Sequence, residues 1–376
     1  MFSKRSVLTA LLTCTLSFSF PCTTAWGDGA AQEEEKILYV YNWSEYVADD
    51  TIENFEKETG IKVVYDVYDS NEVLEAKLMA GNSGYDVVGP GSDFLARQIK
   101  AGIFRKLDKS LFQNYGNLDP VQMKLLAGLD PDNSYAIPYL VGTTGIGYNP
   151  DKVAKALGGD GKITSWDALF KKENISRLGE CGVAVLNAPT EIMGTALHYL
   201  GLPENSTDPK DYKKAAAKLL EMRPYIRYFH SSQFITDLAT GEICVAIGWS
   251  GDILQGADRA REAGNGIKVE YVVPEEGALI YYDMLAIPAD AKHPGNAHKF
   301  LDYMMRPDVM SKLSSFTHNA VAVVPAIPLV VPEVRDNPNV YIPPEKMATR
   351  MFVNRVLPPE INKLVTKLWI RIKQGK

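Results

Sequence analysis

Three short stretches of this 376-residue chain set an aromatic ring within a few positions of a carboxylate. They are Trp43, Ser44, Glu45 and Tyr46; Trp249 and Asp252; and Tyr281 and Asp283. Glu191 is a further acid, just after Ala188-Pro189-Thr190. Ring faces attract a small cation and carboxylates neutralise it, so the repeated pairing suits the grip of an organic cation. An aspartate inside the apolar run 278–287 is costly to bury without a partner, which makes Asp283 the residue most in need of one. Motifs for covalent or metal-assisted catalysis are missing from the sequence: there is no Gly-x-Ser-x-Gly, no phosphate loop with its lysine and no His-Glu-x-x-His. The five histidines are scattered singly. His198 and His230 lack metal-ligand spacing and read as structural. The expectation is a binding protein with no catalytic residue, no cofactor and no metal.

Each of these groups stands where a strand hands over to a helix. Residues 37–41 form a β-rich run, and 48–58 have helical spacing with Ile52 and Phe55 inward and Gly60 as the stop. Residues 61–67 read as a second strand, after which Ser70 and Asn71 cap a helix reaching Met79. Residues 85–88 run into Gly89-Pro90-Gly91-Ser92-Asp93, where Gly91 permits close backbone approach to a ligand and Ser92 or Asp93 is a candidate contact. Residues 143–149 look like an extended crossing segment. The strand 183–186 leads to Glu191. A helix over 231–240, capped by serine, precedes the strand 243–247, which delivers Trp249 and Asp252. Residues 268–273 and 278–287 are further strands. The alternation indicates a mainly parallel sheet with helices on its faces. Open sheets of this kind bind ligands beyond the carboxyl ends of their strands. One cleft lined by rings and acids is therefore expected.

The length exceeds one ordinary core and implies two lobes. Hydrophobic content of 46% with 23% charged residues is that of a globular protein. The net charge of −6 includes Lys4 and Arg5, which precede an apolar run over 7–20. That run is too short for a membrane span and its start is basic, so residues 1–26 read as a secretory signal peptide. Its removal makes the chain more acidic, which argues against nucleic acid as a partner and suits a cationic guest. Cys14 and Cys22 leave with it. Cys181 and Cys244 remain, each beside a core strand, and an oxidising compartment favours their disulfide over two buried thiols.

Longer stretches carry a family likeness. Asn42-Trp43-Ser44-Glu45-Tyr46, Phe55-Glu56-Lys57-Glu58-Thr59-Gly60, Ser70-Asn71-Glu72, Thr144-Gly145-Ile146-Gly147-Tyr148-Asn149, Ile247-Gly248-Trp249-Ser250-Gly251-Asp252 and Arg306-Pro307-Asp308-Val309 resemble the periplasmic polyamine-binding proteins. Arg227-Tyr228-Phe229-His230-Ser231-Ser232-Gln233 is most similar to their putrescine-binding branch. The resemblance covers nearly the whole chain beyond the signal peptide. It implies an α/β, type II periplasmic binding protein fold with two lobes, each a mixed, mainly parallel sheet flanked by helices, joined by crossing hinge strands. Lobe 1 would take residues 36–140 and 256–337, and lobe 2 residues 141–255 and 338–376. Closure would flex crossings at 143–148 and 251–256.

By the same resemblance, Trp43, Tyr46, Trp249 and Tyr281 would box a diamine. Ser44 and Glu45 would contact one ammonium, Asp252 and Asp283 would neutralise the other, and Glu191 would act directly or through water. The likeness also implies a Cys181–Cys244 bridge, a monomer in the periplasm, and delivery of the amine to the inner-membrane permease subunits of an ABC importer. The chain departs from the pattern at three places. Gly91-Ser92-Asp93 stands where Ser-x-Ser is usual, Tyr281 where phenylalanine is, and Asn319 near an expected tyrosine. Agmatine, cadaverine and spermidine therefore stand beside putrescine as candidate guests. The adjacent Tyr281 and Tyr282 leave a second reading, a ferric-ion carrier with two phenolate ligands.

Overall fold

Leu38 and Val40 alternate with more exposed neighbours along the first strand, β1 (Ile37–Trp43), which pairs in parallel with β2 (Lys62–Tyr68) and β3 (Val87–Val88). The computed structural model describes residues 34–376. The expected signal peptide lies outside the described residues. The later strands are β4 (Ala136–Tyr148), β5 (Val183–Val185), β6 (Ile226–Phe229), β7 (Val245–Trp249), β8 (Glu270–Val272), β9 (Ala278–Ala286), β10 (Ala320–Val321) and β11 (Met351–Phe352). Their order is β2-β1-β3-β9-β4-β7-β5-β6, with β8 and β10 also pairing β4 and β11 pairing β9. Neighbours are parallel within β2-β1-β3 and within β7-β5-β6. The two long strands β4 and β9 are antiparallel to each other, to β7 and to β3 respectively, while β11 pairs β9 in parallel.

β4 is the seam of the sheet. Its residues from Ala136 to Thr144 pair with β9, and those from Thr144 to Tyr148 pair with β7. Thr144 is the residue common to both ladders, opposite Leu279 and Trp249. Every residue of β4 is buried, as expected of a strand covered on both faces.

Local chemistry sets the helix ends that aim the site. The Ser70 side chain accepts from the Val73 backbone N–H and opens the helix Asn71–Met79. The helix Gln233–Thr240 starts without the expected serine side-chain cap. Instead, His230 Nδ1 accepts from the backbone N–H groups of Ser232 and Gln233 at 3.1 and 3.0 Å. That bond gives His230 its structural role. His198 is likewise held, by Glu204 at 2.7 Å and by the Glu276 carbonyl at 2.8 Å.

Two expectations about the crossings change. Residues 251–256 are not a flexible crossing but part of the helix Ser250–Ala263, with Ile253, Gln255 and Gly256 buried. The long strand beside β4 is β9. Two glycines there suggested a hinge, but packing of an otherwise helical stretch overrides their backbone freedom. The expected lobe edge at 255/256 falls inside that helix, and the edge at 140/141 falls inside β4, short of Thr144.

Cys181, ending the helix Lys172–Cys181, is bonded to Cys244, which precedes β7; their Cα atoms are 5.5 Å apart. The C-terminal helix Pro359–Gln374 buries Ile361, Val365, Trp369 and Ile372 and packs on the helices Pro189–Tyr199 and Pro209–Met222.

Candidate binding site

The ends of β1 and β7 meet through their tryptophans. The rings of Trp43 and Trp249 stand edge to face with centroids 5.6 Å apart. Trp43 Nε1 donates to the Gly89 carbonyl at 2.7 Å, and Trp249 Nε1 donates to Glu191 Oε2 at 3.0 Å. The two N–H groups are thus spent on fixing the rings, and the ring faces remain for other work.

Beneath them lies a narrow cavity of about 30 Å³. Of the expected residues, Trp43, Tyr46, Gly91, Asp93, Glu191, Trp249, Tyr281 and Asp283 line it. Side chains alternate along a strand, so Leu279, Tyr281 and Asp283 of β9 face this space together. Tyr282 faces away, into a groove with Leu125 and Val141. The two adjacent phenols therefore cannot ligate one ion, which removes the basis of the ferric-ion reading. Among the described residues, no group of three or more His, Cys, Asp or Glu could hold a metal.

The acids of the cavity are short of counter-charge. Asp283 is 3% exposed and accepts a hydrogen bond from the Tyr46 phenol. Burial pushes its carboxyl well above the usual range, and repulsion from Glu191, Asp252 and Asp93 adds to this. Burial pushes Glu191 up to about 7, against the opposing bonds from Trp249 and from Thr144 Oγ1 at 2.9 Å. Asp93 is raised by burial too; Arg97 opposes this, but that guanidinium is held in a forked pair with Glu75 at 2.5 and 2.7 Å. Among the described residues, no lysine, arginine or histidine lines the cavity.

Four expected residues lie elsewhere. Ser44, Glu45 and Asp252 line a neighbouring space beyond the Trp43–Tyr46–Trp249 wall. Glu45 is paired there with Arg259 at 2.9 Å. Burial pushes Asp252 up to about 7, with Glu45 repelling it and Arg259 opposing the rise. Asn319 lines neither space. Fully buried, it accepts from the Tyr281 hydroxyl at 3.3 Å and donates to the Thr317 carbonyl at 3.1 Å. Its side chain fits only because Gly142 and Gly251 lack Cβ atoms, which would stand 2.6 and 2.2 Å from it. It supports Tyr281 from behind.

Other lining residues were not expected. Asn71 Oδ1 accepts from the Gly91 backbone N–H at 2.9 Å and so fixes the loop after β3; the sequence marks Asn71 only as part of a helix cap. Ser92, a candidate contact beside Asp93, lines the cavity as well, and so do Val353 and Asn354, which the sequence did not mark. The last two follow β11, and nothing local signals that so distant a segment returns to β9.

Residues 50–341 match the family model of the bacterial extracellular solute-binding proteins. This chain belongs to that family. The solute-binding protein is 52% identical over 349 residues to the putrescine-binding periplasmic protein PotF of Escherichia coli (strain K12), covering 93% of this chain and 94% of that one. It is 51% identical over 349 residues to the putrescine-binding periplasmic protein SpuD of Pseudomonas aeruginosa (strain UCBPP-PA14), covering 93% and 95%. Among solved structures, the spermidine/putrescine ABC transporter substrate-binding protein PotD from Streptococcus pneumoniae matches with a TM-score of 0.74 at 25% identity, over 91% of this chain and 99% of that one. The solute-binding protein accordingly has the two-lobed α/β fold of type II, and it is a binding protein rather than an enzyme.

Proposed function

We propose that the protein captures a polyamine, putrescine in the first instance, and hands it to an ABC importer in the inner membrane. The observation that carries this reading is the wall shared by Asp93, Glu191 and Asp283: three acids among aromatic rings, in a space that, among the described residues, no basic side chain lines. An unpaired buried charge costs several kcal/mol. Two ammonium groups entering this space remove that cost for the acids they meet. The tetramethylene chain between them adds about 3 kcal/mol at about 0.8 per methylene, and each ring face adds roughly 0.5–2 kcal/mol. The names of the PotF and SpuD relatives support the same guest.

Capture takes place in the periplasm, after loss of residues 1–26, and the protein acts as a monomer. The lobes part at Thr144, where β4 passes from one ladder to the other, and closure bends β4 and β9. A guest touching both β1 and β7 ends favours the closed form by its differential contacts. The closed form is what the permease recognises. Isothermal titration calorimetry against putrescine, agmatine, cadaverine and spermidine tests the proposal. Saturable one-to-one heat with at least one of them is expected; none with any of them overturns it.

A further inference from the structure

The helices Pro209–Met222 and Pro359–Gln374 pack side by side. Each holds four lysines or arginines, against two acids in the first and one in the second. The chain as a whole carries −6, so its positive charge is concentrated here. Lys363, Lys367 and Arg371, four positions apart, share one exposed face of the later helix, opposite the buried Ile361, Val365 and Trp369. Ile370 lies among them and is 50% exposed. Lys210 and Lys213 are exposed on the earlier helix. Lys214 and Lys218 pair with Asp211 and Glu221. Among the described residues, Lys210, Lys213, Lys363, Lys367 and Arg371 form no ion pair. None of these residues lines the amine cavity or the space beside it.

We propose that this two-helix face docks the protein on an anionic lipid bilayer. All the bases of the two helices but Arg371 are lysines. A lysine is a hydrated point charge on a flexible stem, whereas the planar fork of arginine is the choice for carboxylates held in place. A lysine-rich face therefore suits lipid phosphates, which shift beneath it, better than the fixed acids of a protein partner. Ile370 among the bases adds an apolar contact at the headgroup boundary, as on helices that lie in an interface. The remainder of the chain is acidic and is repelled by the same bilayer, so the field also orients the molecule with this face toward the lipid. Contacts of this kind are individually weak and vanish within a Debye length. They concentrate the protein at the membrane without anchoring it there. The proposal goes beyond the polyamine reading and takes from it only the place of action.

The test is co-sedimentation of the processed protein, after loss of residues 1–26, with two kinds of vesicle: phosphatidylcholine alone, and equal parts of phosphatidylcholine and phosphatidylglycerol. Binding to the anionic vesicles only is expected, and its loss at about 1 M salt, where the Debye length falls to about 3 Å. Changing Lys363, Lys367 and Arg371 together to glutamine is expected to weaken that binding at least about ten-fold, and changing them to glutamate to abolish it. The same charge reversal at Lys57, Lys124 and Lys299, exposed on other helices, is expected to weaken it less than about three-fold. Binding to neither vesicle, equal binding to both, persistence in both triple variants, or an equal loss in the distant reversal overturns the proposal. Lipid binding is read without amine, so its failure leaves the polyamine reading standing. Absence of calorimetric heat with every amine overturns that reading and leaves this face standing.

Discussion

Asp283 sits in the middle of an apolar strand, hydrogen-bonded by the Tyr46 phenol. Such a carboxyl disfavours its own ionisation until a cation arrives. Replacing it by asparagine keeps the shape and removes the charge. Asp283→Asn is therefore expected to weaken amine binding by about 2–4 kcal/mol, a breaking of one buried pair, without lowering the ligand-free melting temperature. Calorimetry and thermal unfolding check the two halves separately. Asn319 acts one layer further out: Asn319→Ala frees the Tyr281 hydroxyl and is expected to cost about 1 kcal/mol of amine affinity. A loss as large as that of Asp283→Asn would put Asn319 in contact with the guest instead.

The same residues set a pH dependence. Glu191 and Asp252 titrate near 7 when folded and about 4 when unfolded. A raised folded value means that the native state binds the extra protons. The stability these carboxyls contribute is full below about pH 4 and is lost as pH rises through about 7. An amine meeting Glu191 reverses that acid's share of the loss, so its stabilising effect grows with pH. The rise in melting temperature on adding putrescine is expected to be larger at pH 8 than at pH 5; the opposite order would contradict the assignment of these acids.

At the scale of elements, strand ends were the legible part. Trp43, Trp249 and Asp283 were findable because each closes or interrupts a β-rich run, and that placement in an α/β sheet points toward the ligand side. Gly251 and Gly256 misled, because glycine permits bending but does not demand it. The pairing of Glu45 with Arg259 was hidden because it joins a turn to a helix more than two hundred positions later. The disulfide was legible from compartment and number, and it closes a loop of 63 residues. Replacing both cysteines by serine is expected to cost about 2–4 kcal/mol of stability, read from denaturant unfolding. An unchanged midpoint would make the bond dispensable.

For the whole molecule, the governing feature is one sheet divided at Thr144, with rings from both parts meeting over acids. The closure proposed above would be a bend of two strands rather than a rearrangement of cores. The central claim is electrostatic: protonated buried acids give up protons when ammonium groups take their place. Its most direct test is the number of protons released as putrescine binds near pH 6, measured by calorimetry in buffers of differing ionisation enthalpy. Net release, diminished in Asp283→Asn, is the predicted result. Binding with no release, or with proton uptake, would contradict the account.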